Sequence, residues 1–219
     1  MKNIIILPVI LFGLYGFSQE KKEINYGELM TECTKMSVDA GHNKMVLWFP
    51  YDYWDAIAKQ PGMPKAYVQM IKEEMKNYLM FCLADYTNRL SVIKFRTEEE
   101  ILKTIRITDT AGNVLKPIDP EDMPLRVKEM VTSFQPAFEK LLGQFGEGMR
   151  IFIFEVDQKD DKPVLDIYSK GGFTLSWEGA SFSWKLPLAA VLAPKYCPLD
   201  KEEMKGNWNY CPLHGVKLD

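Results

Sequence analysis

Phe173-Thr-Leu-Ser-Trp-Glu-Gly-Ala-Ser-Phe-Ser-Trp-Lys-Leu186 carries a large apolar side chain at every second position on either side of the turn Glu178-Gly179-Ala180. Strand side chains point alternately to opposite faces, so Phe173, Leu175 and Trp177 face one way and Phe182, Trp184 and Leu186 return on the same side. The stretch reads as a hairpin with Trp177 and Trp184 on its packed inner face. Just upstream, Arg150 to Val156 is apolar at successive positions, the pattern of a central strand covered on both faces. Met45-Val-Leu-Trp-Phe49 is a similar short run stopped by Pro50, which suits a buried strand better than a helix.

Working outward, Tyr78 to Tyr86 and Ser91 to Arg96 have strand composition with Thr87-Asn88 as the turn between them. Arg106 to Thr108 returns through Ala111-Gly112-Asn113 to Val114 and Leu115. Helical spacing recurs elsewhere. Leu29, Met30, Cys33 and Met36 suit a short helix or ordered arm within residues 19–44, and the aromatic-rich segment after Pro50 suits a short helix or turn ending near Gln60-Pro61-Gly62. Pro64 fits a first helical residue ahead of Tyr67, Met70, Ile71 and Met75. Thr97 and Glu100 have capping-box spacing ahead of Ile101, Leu102 and Ile105. Residues 120–143 carry the longest stripe, from Val127 and Met130 to Leu141, with Pro136 expected to kink or split it.

Strands that look antiparallel, interrupted by helices without regular alternation, predict an α+β domain over residues 19–194, built on an antiparallel sheet or β-sandwich with inserted helices. An immunoglobulin-like core is one form this could take, although a cysteine pair bracketing a buried tryptophan is not clear in the sequence. Residues 1–18 have the order of a cleaved signal peptide: Lys2, an apolar run from Ile4, then small Gly16 and Ser18, with cleavage expected before Gln19. The expected location is therefore periplasmic or secreted, and no later run is long enough to span a bilayer. Cleavage removes Lys2 and no acid from a chain of formal charge −3, leaving a mildly acidic surface with no footprint for nucleic acid.

The chain ends on Lys195-Tyr-Cys-Pro-Leu-Asp-Lys and, after a spacer, Asn209-Tyr-Cys-Pro-Leu-His-Gly215. Cys197-Pro198 and Tyr210-Cys211-Pro212, followed by Gly215 and Leu218, resemble a zinc ribbon, in which two Cys-Pro-x-Cys-Gly knuckles grip one metal ion. The resemblance covers residues 195–219. Asp200 and His214 stand where the second ligand of each knuckle would be, and Lys201 replaces the first knuckle's glycine. Two outcomes follow. A Cys197–Cys211 disulfide would close a loop of about 15 residues, worth ~3 kcal/mol by chain entropy, and export makes it chemically available. It is the expected form and needs no cofactor; the alternative is zinc held by Cys197, Asp200, Cys211 and His214.

Elsewhere chemistry is sparse. Only His42 and His214 could serve as histidine bases, which argues against serine or cysteine nucleophile machinery. Cys82 reads as a buried thiol within a strand, and neither it nor Cys33 reads as catalytic. The acidic pairs and runs at Glu98 to Glu100, Asp160-Asp161 and Glu202-Glu203 read as solvated charge. Tyr51, Tyr53 and Trp54, following a strand end, are the candidate aromatic surface for a glycan or an envelope protein. The functional expectation is an exported, non-enzymatic binding or scaffolding protein. Its alternative is an extracytoplasmic enzyme working through carboxylates or a tail-bound zinc.

Overall fold

The protein is described by a computed structural model covering residues 22–39, 41–90, 92–156 and 165–218; the expected leader and the Asp160-Asp161 pair lie outside the described residues. Helix α1 (Tyr26–Cys33) runs into strands β1 (Thr34–Asp39) and β2 (His42–Phe49). Helices α2 (Tyr53–Ile57) and α3 (Lys65–Glu74) precede β3 (Tyr78–Arg89) and β4 (Val92–Phe95). Then come α4 (Glu98–Thr104), β5 (Arg106–Asp109), β6 (Val114–Leu115), α5 (Leu125–Leu142), α6 (Gln144–Glu147) and β7 (Arg150–Glu155). The hairpin β8 (Gly171–Trp177) and β9 (Ala180–Leu186) leads through a single 3-10 turn to the tail strands β10 (Lys195–Tyr196) and β11 (Glu203–Met204).

Two antiparallel sheets form the body. The first is ordered β1-β2-β3, with β3 flanked on its other side by β7 along Tyr78 to Leu83 and by β4 along Tyr86 to Arg89. The second is ordered β6-β5-β8-β9. Strand β3 is the spine, with every residue from Leu79 to Asp85 buried. One of its faces meets the second sheet: Phe81 and its ladder partner Trp48 approach Phe173 and Trp184 at centroid distances of 4.8 to 6.1 Å. The opposite face is covered by helices. Phe49 stacks on Trp54, which stacks on Phe134 of α5, and Arg126 of α5 pairs with Glu74 of α3 at 2.9 Å.

The local devices are those the residues dictate. Thr97 and Glu100 form the reciprocal capping box at the start of α4, satisfying two of its free backbone donors. Pro64 caps α3 from outside the helix instead of occupying its first turn. Helix α5 continues across Pro136 as one element, so the expected split does not occur.

Three strand expectations are corrected. Thr87 and Asn88 extend β3 and are not a turn: Thr87 faces His42 and Lys94, Asn88 faces Ile93, and Leu90 takes the positive φ of 50° that reverses the chain. Strand β1 replaces the helix or arm expected to reach Met36: the helix ends at Cys33, and Met36 and Val38 lie exposed on an edge strand. Strand β7 is buried as expected but pairs with β3 on one side; on the other, Ile118 N donates to the Ile153 carbonyl at 2.8 Å. The first four strands form a meander within one sheet, which distinguishes this sandwich from the immunoglobulin order, where consecutive strands are divided between sheets.

Trp184 is 3% exposed, stacks on Phe173 at 4.9 Å, and donates its indole N–H to the Glu32 carbonyl at 3.1 Å. Trp184→Ala is therefore expected to lower stability by about 3–5 kcal/mol in a urea titration. A loss below about 1 kcal/mol would mean that the sheets do not meet through this ring.

Candidate metal centre in the tail

The tail folds as two matching turns. Strand β10 pairs with β11 around the first, and a bridge between Tyr210 and Lys217 closes the second. In the first, Cys197 N donates to the Glu202 carbonyl and Lys201 N to the Cys197 carbonyl, both at 2.9 Å. In the second, Cys211 N donates to Val216 O and Gly215 N to Cys211 O, both at 2.8 Å. Lys201 and Gly215 occupy equivalent left-handed positions, with φ of 64° and 67°. The sequence signal for this symmetry is the repeated Tyr-Cys-Pro-Leu at 196–199 and 210–213.

Each turn aims backbone donors at a sulfur. The N–H groups of Leu199 and Asp200 serve Cys197, and those of Leu213 and His214 serve Cys211. The two sulfurs and the imidazole then converge, with ligand atoms of Cys197, Cys211 and His214 all within 4.8 Å of one another. His214 Nδ1 lies 3.4 Å from Cys197 Sγ, 3.6 Å from Cys211 Sγ and 3.4 Å from Asp200 Oδ2. The expected Cys197–Cys211 disulfide is not formed in this structure, where both are free cysteines.

The electrostatics agree with that arrangement. Burial and the neighbouring Asp200 and Cys211 side chains push the Cys197 thiol up, against the pull of the Asp200 and Leu199 N–H groups. At Cys211 burial also acts upward but is outweighed by the His214 and Leu213 N–H groups, the imidazole and Cys197, so that thiol is lowered. Asp200 is held below the usual carboxylate range, first by the Glu202 N–H, which bonds its Oδ1 at 3.0 Å. The Cys211 and Asp200 shifts both run toward the deprotonated form, in which thiols and carboxylates bind metal.

Cys197, Cys211 and His214 form a cluster that could hold a metal ion, whereas Asp200 approaches His214 without joining that cluster. With bonds of about 2.3 Å to sulfur and about 2.0–2.1 Å to nitrogen or oxygen, a tetrahedron separates sulfur from nitrogen by about 3.6 Å and nitrogen from oxygen by about 3.3 Å. The separations above match within a few tenths of an ångström. Hydrogen bonding alone does not account for them, because a ring nitrogen offers one donor or one acceptor site and here faces three partners. The tail's hydrophobic cluster is small, comprising Cys197, Met204, Cys211 and Leu218, so packing alone is a weak source of order for this segment.

The tail rests on the main domain at Gly206, where an added Cβ would stand 2.3 Å from the Ala193 carbonyl oxygen, and Asn207 Nδ2 donates to the Pro187 carbonyl at 3.1 Å. Between the tail and α1 lies a groove of about 580 Å³ bordered by Lys22, Glu28, Glu32, Leu192 and Lys205.

The other candidates fall elsewhere. Tyr53 and Trp54 are 5% and 3% exposed and belong to the aromatic packing under α5, which removes them as a binding platform. Tyr51 is half-buried with Lys72 Nζ 4.7 Å from its ring centroid. Cys33 and Cys82 are fully buried, and burial pushes both thiols far up, so neither is a nucleophile. His42 meets buried Asp85 at 2.5 Å, a pairing the sequence did not reveal. Compared with protein families, curated proteins and solved structures, the chain has no match.

Two outcomes are expected. Lys201→Gly relieves a left-handed backbone and should stabilise the tail by about 1 kcal/mol, read as slower hydrogen exchange in residues 196–204. Asp52, half-buried beside α2, is raised to about 6 by burial and by Asp166 and Asp55. Its folded form keeps a proton that the unfolded chain has lost, so its contribution is full below about pH 4 and declines as pH rises through about 6. It makes no side-chain cap bond at α2. Asp52→Asn should therefore stabilise the protein at pH 7.5 by up to about 3 kcal/mol and by much less at pH 4.5, measured by chemical denaturation.

Proposed function

We propose that residues 195–218 are a structural zinc ribbon, with Cys197, Asp200, Cys211 and His214 as ligands, on an exported non-enzymatic protein that binds or scaffolds an envelope partner. The observation that carries the metal assignment is the convergence of two sulfurs and a carboxylate on His214 Nδ1 at 3.4 to 3.6 Å. With Asp200 drawn in beside the clustered Cys197, Cys211 and His214, four protein donors would fill a tetrahedral zinc and leave no position for substrate, which favours a structural ion over a catalytic one. The export assignment rests on the order of charge, apolar run and small residues in residues 1–18. An envelope protein or glycan is the class of partner that this location supplies.

When bound, zinc contributes cross-linking and charge neutralisation. The chain's own part is to hold both sulfurs with backbone N–H groups and to present the imidazole through Nδ1. The carboxylate-enzyme alternative draws on Asp52, whose raised affinity for a proton is a property of acid catalysts.

Native mass spectrometry of the mature chain recovered from the envelope or medium tests the main reading. One zinc per chain, with both tail thiols free after denaturation, is the expected result. Cys211→Ser and His214→Ala should each lower zinc retention at least about tenfold, and a chelator should release order in the tail while the sandwich persists. Metal-free protein lighter by two hydrogens, with Cys197 joined to Cys211, would replace the zinc assignment by the disulfide.

A further inference from the structure

The inner face of the first sheet changes character along its length. Its ladder partners run from Trp48 and Phe81, through Val46 and Leu83, to Lys44 and Asp85, and finally to His42 and Thr87. On β4 the same face carries Lys94, opposite Thr87. The second sheet covers the apolar part and stops at the β8–β9 turn, where Lys44 Nζ donates to the Glu178 carbonyl at 2.7 Å and lies 5.5 Å from the Trp177 ring centroid. Beyond that turn the sandwich opens into a depression of about 410 Å³ lined by His42, Asp85, Thr87, Arg89, Lys94 and Arg96.

Asp85 forms its floor at 1% exposure. Its Oδ1 meets His42 Nε2 at 2.5 Å, and its Oδ2 accepts from the Trp177 indole at 2.8 Å. Arg96 Nε and Lys44 Nζ stand at 3.5 and 3.8 Å from Oδ2. The buried carboxylate is therefore satisfied several times over. Arg96 is also engaged with Glu178 at 3.5 Å, and Glu100, the remaining acid at the rim, is taken up by the Thr97 capping box. Arg89 and Lys94 have no ion pair among the described residues, and His42 uses only Nε2. The depression thus presents Arg89 and Lys94, neither in an ion pair among the described residues, beside an anchored imidazole, with the Glu100 carboxylate at the rim acting on Lys94 and Arg96 only through space.

We propose that this mouth of the sandwich binds an oxyanion, the phosphate, sulfate or carboxylate group of a small ligand, through Arg89, Lys94 and His42. The shared chemistry is a compact anion that accepts hydrogen bonds, which guanidinium, ammonium and imidazole recognise together. The site stands apart from the tail and does not depend on metal there.

Titration of the mature protein with sodium phosphate, sulfate and acetate in low-salt buffer, followed by the His42 ring resonances, tests it. Saturable shifts at millimolar concentration are expected from at least one anion. Response to phosphate and sulfate alone identifies a tetrahedral group, and response to acetate a carboxylate. Arg89→Ala with Lys94→Ala should weaken binding by about tenfold or more, whereas Arg89→Lys with Lys94→Arg should keep it within about threefold. Arg89 and Lys94 are exposed, so both double variants are expected to fold, with thermal unfolding as the check. No saturable shift up to about 20 mM of any anion, or equal binding by a folded alanine double variant, overturns the proposal.

Discussion

Trp48 meets Phe173 edge-on at 4.8 Å and Trp184 at 6.1 Å, and this contact fixes where every other layer can sit. Rings of this size fill the space between two facing sheets with few side chains, and edge-to-face packing favours one relative placement over a sliding interface. The same choice creates a polar obligation, because a tryptophan brings an indole N–H into the interior. Trp184 discharges it on the Glu32 carbonyl and Trp177 on Asp85. Trp48 Nε1 has no acceptor among the described residues, a cost that its ring contacts offset. An aromatic core thus calls for an acceptor at its end, and a carboxylate there calls for cations. The basic mouth of the sandwich follows from how the core is filled.

The tail solves the opposite problem. It has almost no apolar interior, and its order comes from short turns that point amides at sulfur. Both histidines of the chain stand beside a carboxylate, His42 with Asp85 and His214 with Asp200, but in different surroundings. His42 belongs to a network whose donors already balance a buried charge. His214 faces two sulfurs and an oxygen through a single nitrogen, an arrangement that makes chemical sense around a cation. The contrast separates a histidine used to hold a wall from one suited to metal.

Local signals were legible wherever a residue's neighbours in sequence are its neighbours in space. The alternation in Phe173 to Leu186 and the Thr97–Glu100 box are of that kind, and both appear in the structure as read. Strand β1 escaped because Met36, which alternates with Val38 along it, also falls at helical spacing behind Leu29, Met30 and Cys33. The end of β3 was misplaced because Thr87 and Asn88 have turn-like composition, while the ladders to β2 and β4 override that preference. Tyr53 and Trp54 looked available because their cover, Phe134, lies some 80 positions away on α5. Asp85 was indistinguishable from an ordinary strand-end acid until His42, Trp177 and Arg96 were brought to it from three other segments. In the tail, the four candidate donors were readable, but the convergence of Cys197, Cys211 and His214 was not.

The placement of the tail gives its turns a consequence for the main domain. Gly206 lies so close to Ala193 that any larger residue would push the tail off the sandwich, and Asn207 ties it to Pro187. Residues 203–206 then form one wall of the groove whose other wall is α1. That wall has little packing of its own, since the tail's buried cluster contains few side chains beyond the two cysteines. Under the zinc reading, the geometry at His214 therefore sets the shape of the groove as well as the fold of the ribbon. On that reading a small metal-bound module would add a rigid wall there without enlarging the hydrophobic core.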